Sequence, residues 1–210
     1  MSDRRGRRQA RCPGCGLTPA LCLCDRLPSL TFRTPLAIVQ HVHERHKPTN
    51  TARLLAKMVA GTTLLPCGMR APAFDASALD DPSIEWRLLF PRQGAPELDP
   101  DERPSGGRRA GYVLLDGTWG QCSHLSRRLP RIAELPCVAL PPAPPSFWTV
   151  RAQQDGRRRS TFEAACLLLE RLEGPAAVAP LLRAFAAVTA GHLHLKGRLP
   201  TPEVPSTWGV

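Results

Sequence analysis

The chain has 210 residues, a length that fits one domain of good size or one domain with a small appendage. Its hydrophobic fraction of 42% suffices for a packed core, and no run approaches the roughly 18 consecutive apolar residues of a membrane span. The net charge of +10, mostly from arginine, suits a polyanionic partner such as nucleic acid, although a GC-rich genome would favour arginine as well.

The two ends of the chain are predicted to lie outside the folded domain. Residues 1–11 carry five arginines and no apolar stretch, so they are expected to be a basic, partner-dependent tail and not a secretory signal. A four-cysteine metal knuckle is predicted over residues 12–28. The domain that carries the chemistry is expected over residues 29–200, and residues 201–210 form a second tail.

Between these tails, apolar strands alternate with helical segments. Strands are predicted at 35–42, 84–90 and 111–115, with a further short strand from residue 137, and residues 91–109 are predicted to be a surface loop. Helices are predicted within 47–62, capped by Thr49 or Asn50 and ended by Gly61, at 118–128, at 160–174 and from Pro175 onward. This alternation indicates an α/β fold with a largely parallel sheet.

Four cysteines near the N-terminus have a spacing that is typical of metal sites. Cys12 and Cys15 form a C-x-x-C pair, and Cys22 and Cys24 supply two further thiols close by. Four thiolates favour zinc, and a site closed by four protein ligands is structural and not catalytic. A redox C-x-x-C pair is the alternative. The remaining cysteines are expected to be small core residues.

Polar side chains gather where the first predicted strand ends, in the segment QHVHERHKPTNTARLL at residues 40–55. Ligands bind beyond the carboxyl ends of strands in open α/β sheets, so this segment is a candidate site. A solvated helix cap is the alternative. A metal site is not expected in this segment.

The segment YVLLDGTW places Asp116 and Trp119 at the end of an apolar strand. Partial desolvation there brings the pKa of a carboxylate nearer the range of a general base, and an indole can stack on a nucleobase or line a pocket. The alternative is that Asp116 caps the next helix and Trp119 belongs to the core. Farther along, Ser160 and Glu163 in RRRSTFEAA match a capping box, whose helix N-terminus also suits a carboxylate or phosphate.

Taken in order, the segments CPGCGLTPALCLC, QHVHERHKPTNTARLL, LLDGTW and RRRSTFEAA resemble the DTW-domain family. The family signature Asp-x-Thr-Trp corresponds to Asp116 through Trp119, and the resemblance extends from about Cys12 to Leu172. It implies a SPOUT-like α/β sheet flanked by helices, a fold often knotted near its cofactor site. It also implies transfer of the 3-amino-3-carboxypropyl group of S-adenosylmethionine to N3 of a tRNA uridine, in the variable loop for the bacterial type, with release of methylthioadenosine.

This chemistry, applied to the residues of the chain, suggests roles for individual side chains. The expected catalytic group is Asp116 as general base with Thr118 and Trp119. The expected contacts to S-adenosylmethionine are Leu115, Asp116, Leu140, Pro141, Ser160, Thr161 and Glu163. The expected contacts to tRNA are His41, Glu44, Lys47, Asn50, Thr51, Arg53, Arg127, Arg128, Arg151 and Arg158, together with Arg157, Lys196 and Arg198. The alternative for the first six, those of the segment after the first strand, is that they line the opposite wall of the site.

Two other functions remain open from the sequence. A SPOUT-like RNA methyltransferase would use the same donor, and a zinc-bearing RNA-binding protein would need no catalysis. The expected partner is tRNA in the main interpretation, and no membrane partner is expected. The chain is expected to act as a monomer in the cytoplasm.

Overall fold

The computed structural model describes residues 10–143, 146–151 and 159–209. Within them the sheet has five strands: β1 (Leu36–His41), β2 (Thr63–Cys67), β3 (Ile84–Leu89), β4 (Arg109–Asp116) and β5 (Cys137–Val138). The α-helices there are α1 (Thr51–Met58), α2 (Trp119–Arg128), α3 (Thr161–Glu173) and α4 (Pro175–Leu195). The basic tail up to residue 9 and the predicted tRNA contacts Arg157 and Arg158 lie outside the described residues.

The strands pair in parallel throughout the sheet, in the order β2-β1-β4-β3-β5. The prediction of an α/β fold built on a parallel sheet is therefore confirmed. β1 and β4 lie side by side in its middle, with Gln40 paired in register with Asp116. Their carboxyl ends open on the same edge of the sheet, where α/β proteins place ligand sites.

Both faces of the sheet are covered, which explains why β1 and β4 are apolar along most of their length. Successive residues of a strand point to opposite faces, so residues two apart share a face. On one face Ile38 and Leu114 pack with α1, α3 and α4, and on the other face Val39 and Val113 pack with α2. Asp116 lies two positions beyond Leu114, so its side chain points toward α1 and α3.

β2 is the strand that the sequence pattern does not predict, because Pro66 interrupts its short apolar run. Proline cannot donate a hydrogen bond to a neighbouring strand and is found mostly at sheet edges. In the structure β2 lies at an edge, beside β1, and Pro66 is exposed. The helices agree closely with the predictions, except that α1 ends at Met58, before Gly61.

α4 is a long apolar helix that packs in the core. Among the described residues it is the one helix that is long and apolar enough, by length and composition, to cross a membrane. An 18-residue stretch of this helix has a mean hydropathy of 1.4. However, 56% of that stretch is buried inside the fold. Phe185 of α4 stacks on Phe162 of α3, with ring centroids 4.3 Å apart.

The cysteine-bearing segment before β1 packs directly on the helices. Leu17 is fully buried in the core shared with α1, α3 and α4, and the Cys15 carbonyl oxygen lies 3.1 Å from His192 Nε2 of α4. Gly16 has a φ of +76°, and a Cβ there would lie 1.8 Å from the Pro48 carbonyl oxygen. Asn50, two residues beyond Pro48, caps α1, so the positions of this segment and of α1 are linked.

We expect Gly16→Ala to destabilise the protein more than Gly61→Ala, which is a matched control. Both glycines have positive φ, +76° and +79°, and a side chain in that region costs about 1–2 kcal/mol. A Cβ at Gly61 would meet nothing within 4 Å. The clash with Pro48 is expected to add about 1–3 kcal/mol at Gly16. Urea denaturation gives the free energy of unfolding of each variant, and equal losses would contradict the close contact with Pro48.

Candidate active site

The carboxylate of Asp116 is buried at the carboxyl end of β4, where three side chains hold it. Its Oδ2 accepts hydrogen bonds from Asn50 Nδ2 at 2.6 Å and from Gln40 Nε2 at 3.1 Å. Its Oδ1 accepts one from Thr161 Oγ1 at 2.9 Å, and only 5% of the residue is exposed. A carboxylate offers about four acceptor positions, so Oδ1 keeps one position for a further donor.

Each of these donors comes from a different element of the fold. Gln40 lies near the end of β1 as the register partner of Asp116, and Thr161 is the first residue of α3. Asn50 is the N-cap of α1: its Oδ1 accepts from the Arg53 backbone N–H at 2.8 Å, which leaves its Nδ2 to donate to Asp116. The sequence predictions missed Gln40, although a polar residue near the end of an apolar strand was a usable signal.

Burial raises the pKa of Asp116 above its usual value, and the hydrogen bonds from Asn50, Gln40 and Thr161 offset only part of this effect. The increased proton affinity is what a general base requires. The carboxylate is also close to the N-termini of α1 and α3, whose dipoles help to accommodate its negative charge once the proton is lost.

Capping boxes begin the two helices that border the site. In α2, Thr118 Oγ1 accepts from the Gln121 backbone N–H at 3.3 Å, and Gln121 Oε1 accepts from the Thr118 N–H at 2.8 Å. Thr118, and not Asp116, is therefore the N-cap of α2, so the alternative in which Asp116 caps this helix is wrong. The carboxylate of Asp116 instead accepts the hydrogen bonds from Gln40, Asn50 and Thr161. In α3 the predicted capping box of Ser160 and Glu163 is confirmed.

A cavity of about 1150 Å³ opens beside Asp116. Trp119 and Phe90 form an aromatic part of its wall, with ring centroids 5.7 Å apart, so Trp119 is not a core residue. The predicted catalytic residues all line this cavity, and so do the predicted donor contacts Leu115, Asp116, Leu140, Pro141, Ser160 and Thr161. Glu163 is buried outside the lining, where its carboxylate accepts hydrogen bonds from Ser160 and Ser146.

The cavity contains few ionisable groups. Among the described residues that line it, these are Asp116, Cys122, Arg151 and Arg159. Burial raises the pKa of Cys122 to about 12, so its thiol stays protonated near neutral pH. The guanidinium groups cannot accept a proton. Asp116 is thus the ionisable side chain of this described lining that can act as a base.

The polar segment after β1 turns partly inward. Glu44 is 1% exposed, and its carboxylate pairs with Lys47 and, at 2.8 Å, with Arg151 Nη1. Burial acts to raise the pKa of Glu44, but the hydrogen bonds from Lys47 and Arg151 outweigh it and hold the pKa below its usual value. Asn50 and Thr51 are buried as well. These parts of the predicted tRNA surface therefore lie inside the fold.

The other described residues predicted to contact tRNA are dispersed. Arg127 and Arg128 are exposed at the end of α2. Arg53 is half-buried and donates to backbone carbonyls in the loop before α1. His41 lines a second cavity of about 600 Å³ between the end of β2 and α2. The structure thus gathers the predicted catalytic residues and, apart from Glu163, the predicted donor residues in one cavity. Of the predicted tRNA contacts, Thr51 and Arg151 line the same cavity and the other described ones do not.

The four N-terminal cysteines have the geometry of a tetrahedral metal site. Their Sγ atoms all lie within 4.8 Å of one another. Cys12 Sγ lies 3.5 Å from the sulfurs of Cys22 and Cys24. Cys15 Sγ lies 3.8 Å from that of Cys22. Zinc–sulfur bonds of about 2.3 Å give a tetrahedron with edges of roughly 3.8 Å, so the donor set fits a metal ion of this kind. The other four cysteines are buried free thiols, as predicted.

Comparison with known proteins matches the DTW domain to residues 9–193 of this chain. The tRNA-uridine aminocarboxypropyltransferase 2 of Macaca fascicularis is 27% identical over 177 residues, which cover 80% of this chain and 58% of the macaque protein. The protein of the same name from Drosophila melanogaster is 28% identical over 174 residues, 79% of this chain and 68% of its own length. The chain thus spans little more than half of the macaque protein. No solved structure matches it.

We expect the purified protein to carry one metal ion per chain at the cysteine cluster. Cys24→Ser removes one of the four sulfurs, so this variant is expected to lose the metal and part of its thermal stability. Cys137→Ala, which changes a buried thiol outside the cluster, is the control and is expected to keep the metal. Elemental analysis by plasma mass spectrometry measures the content, and a metal-free wild-type protein that folds fully would contradict the site.

Proposed function

This chain belongs to the DTW-domain family, and from that premise we propose that it transfers the 3-amino-3-carboxypropyl group of S-adenosylmethionine to N3 of a tRNA uridine. The relatives named for aminocarboxypropyl transfer support this proposal. So does the position of the signature residues Asp116, Thr118 and Trp119 on one cavity. The variable loop is the proposed position of the uridine, as the resemblance to the bacterial type implies.

The observation that carries the proposal is the buried carboxylate at the cavity wall. N3 of uridine is a weakly acidic imide and must lose its proton as it bonds to carbon. Asp116 Oδ1 has an acceptor position left for the N3–H group, and burial raises the pKa of Asp116 toward the range in which it can take that proton. The hydrogen bonds from Asn50 and Gln40 to Oδ2 fix the orientation of the carboxylate.

The cavity is also suited to orient the donor. When bound, S-adenosylmethionine supplies a carbon whose bond to the sulfonium sulfur breaks as N3 bonds to it, and methylthioadenosine leaves with the electron pair. Three carbons are attached to that sulfur, so the product depends on how the residues of the cavity present them. Trp119 and Phe90 offer aromatic surface to adenine or uracil, while Ser160 and Thr161 offer hydroxyl groups.

We propose tRNA as the partner because of both chemistry and charge. N3 lies on the pairing edge of uracil, so the uridine must be unpaired or extruded to reach Asp116. Positive charge for phosphates is exposed at two places: Arg127 and Arg128 at the end of α2, and Lys196 and Arg198 after α4. Release of counterions from the phosphates would then drive much of the binding.

We further propose that the cysteine cluster holds structural zinc. Its four thiols leave no open position for water or substrate, and none of them lines the cavity. The contact of Gly16 with Pro48 places the cluster against the segment that ends at Asn50. The ion would therefore act on the reaction indirectly, through the position of that segment.

Mass spectrometry of nucleosides from unmodified tRNA, incubated with the protein and S-adenosylmethionine, tests the function. The expected product is aminocarboxypropyl-uridine, with an equal amount of methylthioadenosine. Methyluridine together with S-adenosylhomocysteine would instead identify a methyltransferase. Binding of tRNA without any product, across all tRNAs of the host, would identify a binding protein.

Asp116→Asn is expected to lower turnover by about 10²- to 10⁴-fold, the usual contribution of a general base. The amide can keep all three hydrogen bonds, because Thr161 Oγ1 can accept as well as donate. Affinity for tRNA and thermal stability should therefore stay close to those of the wild type. Asp101→Asn, at an exposed position, is the control. Full turnover in Asp116→Asn would show that another group is the base.

A further inference from the structure

The cavity wall carries both negative and positive side chains, and the group to be transferred carries both charges as well. Among the described lining residues, the carboxylate is that of Asp116 and the guanidinium groups are those of Arg151 and Arg159. In the proposed function, the transferred group carries an ammonium and a carboxylate. A guanidinium matches a carboxylate in both charge and shape, because two parallel N–H groups can meet its two oxygens.

Arg151 is fixed in one orientation by three hydrogen bonds. Its Nε donates to Thr49 Oγ1 at 3.0 Å, and its Nη2 donates to the Thr49 carbonyl oxygen at 2.9 Å. Its Nη1 donates to Glu44 Oε2 at 2.8 Å. A guanidinium has five N–H groups, so two are left for a ligand. Because Arg151 is half-buried and lines the cavity, a bound molecule can use them.

The positive charge of Arg151 is not cancelled by its pair with Glu44. The same carboxylate also pairs with Lys47, so this cluster of two cations and one anion keeps a positive charge. Glu44 is 1% exposed and is covered by Lys47 and Arg151. It can therefore orient the guanidinium of Arg151 without contacting the substrate. Arg159 donates instead to the Ala143 carbonyl oxygen at 2.7 Å.

Arg151 and Asp116 are anchored to consecutive residues. Arg151 donates to Thr49, and Asn50 Nδ2 donates to Asp116 at 2.6 Å. In the aminocarboxypropyl chain, three carbon–carbon bonds separate the reacting carbon from the carboxylate carbon, a span of about 4 Å. The proposed base and the guanidinium are thus held by neighbouring residues on the wall of one cavity, and the group that would lie between them is short.

We propose that Arg151 binds the carboxylate of the 3-amino-3-carboxypropyl group of S-adenosylmethionine, with Glu44 and Thr49 as positioning residues. This inference rests on the proposed function and assigns Arg151 to the donor instead of to tRNA. After transfer the carboxylate belongs to the modified uridine. Methylthioadenosine then has no contact with Arg151, which favours its release.

Calorimetric titration of the wild type and of Arg151→Gln, with S-adenosylmethionine and with methylthioadenosine, tests this assignment. Loss of a charge-assisted pair is expected to weaken S-adenosylmethionine about 10- to 100-fold. The affinity for methylthioadenosine, which lacks the carboxylate, is expected to stay unchanged. A purely structural role of Arg151 would weaken both ligands alike, so the ratio of the two affinities separates the two roles.

Arg108→Gln is the matched control. Arg108 also donates to a glutamate, Glu85 at 2.6 Å, but it does not line the cavity, so both affinities should match the wild type. Equal losses for both ligands in Arg151→Gln, no loss for either, or a loss confined to tRNA binding would each overturn the assignment.

The nucleoside assay distinguishes failure of this assignment from failure of the proposed function. If aminocarboxypropyl-uridine forms and Arg151→Gln keeps full affinity for S-adenosylmethionine, the assignment of Arg151 alone is wrong. If Arg151→Gln selectively loses S-adenosylmethionine but the wild type forms no aminocarboxypropyl product, the carboxylate subsite stands and the transferase is wrong. A wild type that does not bind S-adenosylmethionine would overturn both.

Discussion

The hydrogen bonds to the carboxylate of Asp116 are the interaction on which the site depends. Burying a carboxylate without partners would cost several kcal/mol, and for Asp116, a residue that is 5% exposed, Gln40, Asn50 and Thr161 supply the partners. Because these donors belong to β1, α1 and α3, the carboxylate joins the edge of the sheet to two helix N-termini. The burial that makes it costly also raises its pKa, so one group links the stability of the site to its proposed chemistry.

The short segment before α1 extends this constraint in two further directions. Pro48 packs against Gly16 of the cysteine-bearing segment, Thr49 accepts hydrogen bonds from Arg151, and Asn50 donates to Asp116. Three consecutive residues thus connect a candidate metal site, a guanidinium and the proposed base. Displacements of about 1 Å can alter rates strongly when groups must be aligned for reaction. A closed metal site can therefore matter for catalysis without touching the substrate.

The parts of the site that follow from local sequence could be predicted, and the parts that depend on distant contacts could not. The apolar run of β4, the Ser160–Glu163 capping box and the cysteine spacing are each contained in a few neighbouring residues. By contrast, Gln40 meets Asp116 across 76 positions and Arg151 meets Glu44 across 107. Pattern and spacing do not encode such pairs. For the same reason the sequence predicts an RNA-binding surface in the segment after β1. In the structure Glu44 and Asn50 of this segment turn inward to meet Arg151 and Asp116, partners that are distant in the sequence.

The ionisation of Asp116 itself is the most direct measurement of whether this carboxylate is prepared to act as a base. Carbon-13 NMR of aspartate-labelled protein can follow its carboxyl signal with pH, and Asp116→Asn identifies the signal by its absence. The predicted titration midpoint lies above the ordinary aspartate value of 3.8, because burial outweighs the three hydrogen bonds. A midpoint at or below 3.8 would contradict this, since the hydrogen bonds would then dominate and Asp116 would be a weak base held for structure.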